Sequence, residues 1–177
     1  MTGYHGKIYQ NSSGKAFLVH SVTALSASYS LSPNDWSGIL IRLGVALVVG
    51  AIIGLERETR HKPAGLRTYM LVSFGSALFI LIPILLGNTE RSADALSRVI
   101  QGITAGVGFV GGGVILRESR SQNEDEVRIR GLTSAAAIWV SAALGTSAGC
   151  GLWLMSLIAA VLTLVVLKLF KKLEPHL

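Results

Sequence analysis

The side chains best equipped for chemistry sit where long apolar runs end. Leu55-Glu56-Arg57-Glu58 closes one run, Arg60, Lys62 and Arg67 follow, and Leu116-Arg117-Glu118 closes another. Carboxylates at a helix C-terminus oppose the helix dipole, so Glu56 and Glu58 need cationic partners. Arg57, Arg60, Arg67 and Arg117 are the natural ones. The set is either a group of solvated ion pairs or a buried network joining helices. The loop around Pro63 is short, so a pair between Glu56 and Arg67 is expected, with Arg60 on the outer part of the loop. No nucleophile, base and orienting group can be assembled from these residues, and an enzyme is not expected. The apolar runs hold hydroxyls and one amide, among them Ser73, Ser76, Gln101, Thr104, Thr133, Ser134, Ser141, Thr146 and Ser147. No Asp, Glu, Lys or His lies mid-run, where pumps usually keep ionisable groups. No metal-ligand set is assigned, since a bare magnesium site wants an octahedron of oxygens that includes carboxylates or waters. The single cysteine, Cys150, excludes an intrachain disulfide and a cysteine zinc cluster. No cofactor is expected.

Gly106-Val107-Gly108-Phe109-Val110-Gly111 matches the dinucleotide fingerprint by letter. That fingerprint works only between a strand and a helix, and here it lies inside an apolar run. The better reading of Gly102, Gly106, Gly108, Gly111, Gly112 and Gly113 is close helix packing, which small faces permit in lipid. A flexible break at the triple glycine is the alternative. No phosphate-binding loop of the Gly-x-x-x-x-Gly-Lys type exists.

These residues must be carried by membrane helices. The chain has 177 residues, 50% hydrophobic and 15% charged, with a mean hydropathy of +0.54. Soluble domains are about 25% charged, so neither a water-soluble globule nor a disordered tail fits. The net charge of +6 reflects basic loops between apolar runs, and nucleic-acid binding is not expected. Five runs follow one another: Ile39 to Leu55, Leu66 to Leu86, Val99 to Leu116, Leu132 to Ala148 and Leu152 to Phe170. The expected fold is therefore all-α, a polytopic bundle of five transmembrane helices. Basic residues crowd the loops after the first and third runs and the C-terminal tail, which puts the N-terminus outside and the C-terminus in the cytoplasm. Residues 1–37 read as a loosely ordered leader, with a weak signal peptide as the alternative. Residues 38–172 form the membrane domain and residues 173–177 a short tail. Asp35 or Ser37 caps the first helix. Gly149-Cys150-Gly151 forces a tight hairpin. Gly65-Leu66-Arg67-Thr68 and Gly131-Leu132-Thr133-Ser134 open the second and fourth runs alike, as in a parallel repeat of helix pairs.

Three ordered blocks carry a resemblance. Gly54-Leu55-Glu56-Arg57-Glu58 with Ala64-Gly65-Leu66-Arg67-Thr68 resembles the opening signature of the MgtC/SapB membrane family. Gly102-Ile103 through Gly113-Val114-Ile115-Leu116-Arg117-Glu118 resembles its second block, and Arg130-Gly131-Leu132-Thr133-Ser134-Ala135-Ala136 with Trp139 its third. The resemblance covers about residues 38 to 172. It implies a five-helix domain in the bacterial inner membrane, associated with magnesium homeostasis. It also implies action on other membrane proteins, the ATP synthase or a magnesium transporter among them, with membrane lipid and a second copy as further partners. The alternative is a magnesium permease with a pathway along the glycine-rich third helix, within the bundle or between copies. Well-known members carry a soluble cytoplasmic domain after the fifth helix, and the resemblance implies nothing here about functions tied to that domain.

Overall fold

A computed structural model describes residues 31, 34–86, 92–119 and 131–173. It holds five helices: α1 Trp36–Thr59, α2 Leu66–Leu86, α3 Ser92–Ser119, α4 Leu132–Gly149 and α5 Trp153–Leu173. No strand occurs among the described residues. Four of the helices are long and apolar enough to cross a membrane, and α5 contributes a shorter apolar stretch, Trp153–Leu169. Most of the leader, residues 1–30, 32 and 33, lies outside the described residues, as does the tail beyond residue 173.

The helix ends follow local chemistry. Asp35 caps α1, accepting from the Gly38 amide at 3.0 Å and from the Ser37 hydroxyl at 2.7 Å. Those two bonds, the amide first, hold its carboxyl below the usual range. His61 takes a left-handed φ of 52° as the chain reverses past Pro63. Glu58 then serves the following helix, its carboxylate accepting from the Leu66 amide at 2.9 Å. An acid at that N-terminus is favourably placed against the dipole. At the other end of the bundle α4 closes in a Schellman turn. The Leu152 amide donates to the Ser147 carbonyl and the Gly151 amide to the Ala148 carbonyl, both at 2.9 Å. Gly151 adopts the left-handed φ of 83° that this turn requires.

α1, α2 and α4 form the tight centre of the bundle, with α3 and α5 beside α4. Val49, Ile53, Tyr69 and Ile138 are fully enclosed. α2 and α4 run parallel, because positions advance together along their seam. The Ser141 hydroxyl donates to the Tyr69 carbonyl at 2.9 Å, Gly145 abuts Ser73, and Gly149 abuts Ala77. Ser141, Gly145 and Gly149 recur every four residues, so one ridge of small residues admits the backbone of α2. Gly50 and Gly54 do the same for α1 against α2. Gly50 faces Tyr69, and Gly111 faces Ala135; these are equivalent positions when the two helix pairs are aligned as repeats.

Candidate functional site

Glu56 and Arg57 end α1, and both turn inward. Their side chains are 4% and 3% exposed, with Arg57 Nη1 lying 3.7 Å from Glu56 Oε2. Arg57 Nη2 donates to the Ser134 hydroxyl on α4 at 3.0 Å. The Tyr69 hydroxyl of α2 donates to the Ser134 carbonyl at 3.2 Å. Three helices therefore meet at one buried polar knot. Arg60, one turn beyond Glu56, closes an ion pair onto Glu56 Oε1 from the partly exposed side. Both Glu56 oxygens and Arg57 Nε remain buried without a hydrogen-bond partner among the described residues. The carboxylate is thus neutralised by two guanidinium groups but weakly solvated, which makes the knot sensitive to loss of any charge.

The helix-end cluster anticipated from the sequence divides accordingly. Glu56 and Arg57 are in the knot, and Glu58 is an exposed cap. Arg67 is exposed and does not pair with Glu56; Arg60 takes that place. The reason is helical geometry, because residues four apart share a face whereas Arg67 opens a new helix past the reversal. Arg117 is exposed, and the side chain of Glu118 lies outside the described residues. In the α4 entry motif, Gly131 has a left-handed φ of 87°, Leu132 and Thr133 are exposed, and Ser134 is the buried acceptor.

The glycine expectation needs correction. Within this chain Gly102, Gly106, Gly108, Gly112 and Gly113 each have open space where a Cβ would stand, and only Gly111 packs, against Ala135. The triple glycine leaves α3 unbroken from Ser92 to Ser119. α3 lies against α4 along a single side, and toward α2 it leaves an apolar groove of about 460 Å³ lined by Gly75, Phe79, Gly102 and Gly106. The close contacts fall on Gly50, Gly54, Gly145 and Gly149 instead. Ser141, Gly145 and Gly149 are four residues apart, but so are Gly102 and Gly106 and Gly108 and Gly112, so spacing alone did not single out the ridge that packs.

Arg42 is a second buried cation, 8% exposed. Its Nη1 donates to the Gly149 carbonyl at 3.0 Å, the open C-terminal end of α4, where positive charge is favoured. Its guanidinium also covers Gly151, where a Cβ would come within 2.9 Å. Burial pushes the neighbouring Cys150 thiol up, and the Arg42 charge opposes that rise. Among the described residues no three His, Cys, Asp or Glu side chains converge as metal ligands would.

Comparison with known proteins fits these elements. A family model described as MgtC family matches residues 43–176. Protein SrpB of Synechococcus elongatus is 48% identical over 147 residues, 81% of this chain and 81% of its own length. An Escherichia coli protein named "Putative magnesium transporter YhiD" is 41% identical over 143 residues, 76% of this chain and 61% of that protein. Protein MgtC of Salmonella typhimurium is 38% identical over 125 residues, 71% of this chain and 49% of that protein. The chain thus spans most of SrpB but only about half of MgtC. No solved structure matches it.

Proposed function

Because the chain belongs to the MgtC family and is a multi-pass membrane protein linked to magnesium homeostasis, we propose that it is a non-enzymatic regulator acting on other membrane proteins. Its setting is the bacterial inner membrane, with five spans, the N-terminus outside and the C-terminus in the cytoplasm. The 21 residues of α5 extend about 31 Å, enough for the hydrocarbon core. One observation carries the regulatory reading. The seam of α2 and α4 is closed by backbone contact, since a Cβ on Gly145 would overlap the Ser73 carbonyl. A bundle sealed that tightly supports a docking body better than a conduit for a hydrated divalent cation. The neutralisation of Glu56 by Arg57 and Arg60 agrees, because it leaves that carboxylate already compensated.

The second reading is a magnesium permease, favoured by the name given to the Escherichia coli relative. Magnesium entry into liposomes holding only the purified chain, followed with an enclosed magnesium-sensitive dye, separates the two. The regulatory reading expects entry no faster than in protein-free liposomes. Entry that scales with protein content would replace it with the permease.

A further inference from the structure

α3 is attached to the bundle differently from its neighbours. α1 is tied to α4 by Arg57 on the Ser134 hydroxyl and by Arg42 on the Gly149 carbonyl. α2 is tied to α1 by the Ser73 hydroxyl on the Ala46 carbonyl at 2.7 Å, and α5 to α4 by the Ser156 hydroxyl on the Leu144 carbonyl at 2.8 Å. Among the described residues α3 makes no hydrogen bond or ion pair to another helix, and its Thr104 hydroxyl turns back onto its own Ile100 carbonyl at 2.8 Å. Apolar contact alone holds it, and that contact lies toward one end. Gly111 is the single buried residue of α3 among those described. It sits on Ala135, and Val107 and Val114 flank it against the core. Before Val107 the helix stands off from α2 across the apolar groove of about 460 Å³. Gly75 on one wall, and Gly102 and Gly106 on the other, have no heavy atom within 4 Å of where a Cβ would stand.

We propose that α3 is an arm pinned at Gly111, whose Ser92 half swings onto α2 and closes this groove. Val99 lies twelve residues from the pin, about 18 Å along a helix, so a small rotation at Gly111 becomes a large displacement at the Ser92 end. The helix is unbroken through the triple glycine, so it turns as one rod rather than bending there. Closing the groove breaks no polar contact. Its walls are apolar apart from Ser76, whose hydroxyl is already satisfied on the Val72 carbonyl at 2.8 Å. In lipid the gain on closing is close packing, and glycines on both walls let the backbones approach as they do where Gly145 meets Ser73. Open and closed are thus two packings of one bundle that differ in apolar contact alone, and anything that binds one of them better shifts their populations. The inference rests on how the five helices pack and stands whether the chain regulates or conducts.

The test uses the full chain in liposomes with Cys150→Ser as background and paired spin labels, whose separations are read by electron paramagnetic resonance. Ile82→Cys with Ser97→Cys spans α2 and α3 at the swinging end, and Arg67→Cys with Leu116→Cys spans them near the pin; all four positions are exposed. Two separations are expected for the first pair and one for the second. Gly106→Leu fills the open groove and blocks closure, so the shorter separation of the first pair is expected to be lost while the second pair is unchanged. Gly75→Leu, from the opposite wall, is expected to do the same. A single separation between Ile82 and Ser97, two separations at both pairs, or a shorter separation that survives both leucine substitutions would each overturn the proposal.

Discussion

Glu56 and Arg57 are a buried pair whose partners come from α2 and α4 as well as from α1. Removing one member strands a charge away from water, which costs about 3–5 kcal/mol, against about 0–1 kcal/mol for a solvated pair. Glu56→Gln and Arg57→Gln are therefore each expected to lower stability by several kcal/mol. Arg60→Gln should cost less, because its side chain is 27% exposed, and Arg67→Gln should be nearly silent. Thermal unfolding of the purified variants gives the ranking, and equal, mild effects at all four positions would contradict the buried knot. The sequence made Glu56 and Arg57 conspicuous as charges at a helix end, but not the choice between Arg60 and Arg67. That choice depends on where the chain reverses, and His61 in the left-handed region moves Arg67 onto a new helix. Ser134 was visible as a hydroxyl in an apolar run and as part of the entry motif, but not as a partner of Arg57, because that role depends on contact with a residue 77 positions away. Cys150 offers a further check at this scale. Its thiol is raised by burial, so a smaller fraction is thiolate at a given pH than for a free cysteine. Alkylation at pH 8 should be slow in the folded chain, quicken with rising pH and become fast on unfolding. Rapid labelling of the folded chain would contradict its burial.

The helices themselves were legible because each is a long apolar run bounded by charge, proline or glycine. Even the starts of α2 and α4 fall on Leu66 and Leu132 as the Gly-Leu entries imply. Which glycines pack was not legible. α3 is richer in glycine than α4, yet density does not decide contact; the neighbour does, and periodicity within one helix carries no record of it. Two substitutions separate the classes. Gly145→Ala drives a methyl into the Ser73 carbonyl, a backbone obstacle that cannot swing aside, so a loss of about 3 kcal/mol is expected. Gly113→Ala meets open space and should be neutral or stabilising by up to about 1 kcal/mol, since alanine holds a helix better. Helix content and thermal midpoint of the two variants measure this, and the opposite order would place the seam elsewhere.

For the molecule as a whole, the proposed orientation puts Ser37 and Pro63 on opposite sides of the membrane. With Cys150→Ser as background, Ser37→Cys should react with an impermeant maleimide added outside intact cells, and Pro63→Cys only after the membrane is opened. The reverse pattern would invert the topology. Arg42 adds a constraint of another kind, one of timing. Its partner carbonyl on Gly149 lies 107 residues further along the chain. A ribosome adding about 5–20 residues per second needs roughly 5–20 s to make that stretch. Throughout that interval α1 holds a guanidinium whose final acceptor has not been synthesised. The nascent helix must wait at the membrane boundary or be sheltered by the insertion machinery until α4 arrives. A chain cut short before Gly149 never supplies that acceptor, so Arg42 reaches its folded arrangement only once α4 is complete.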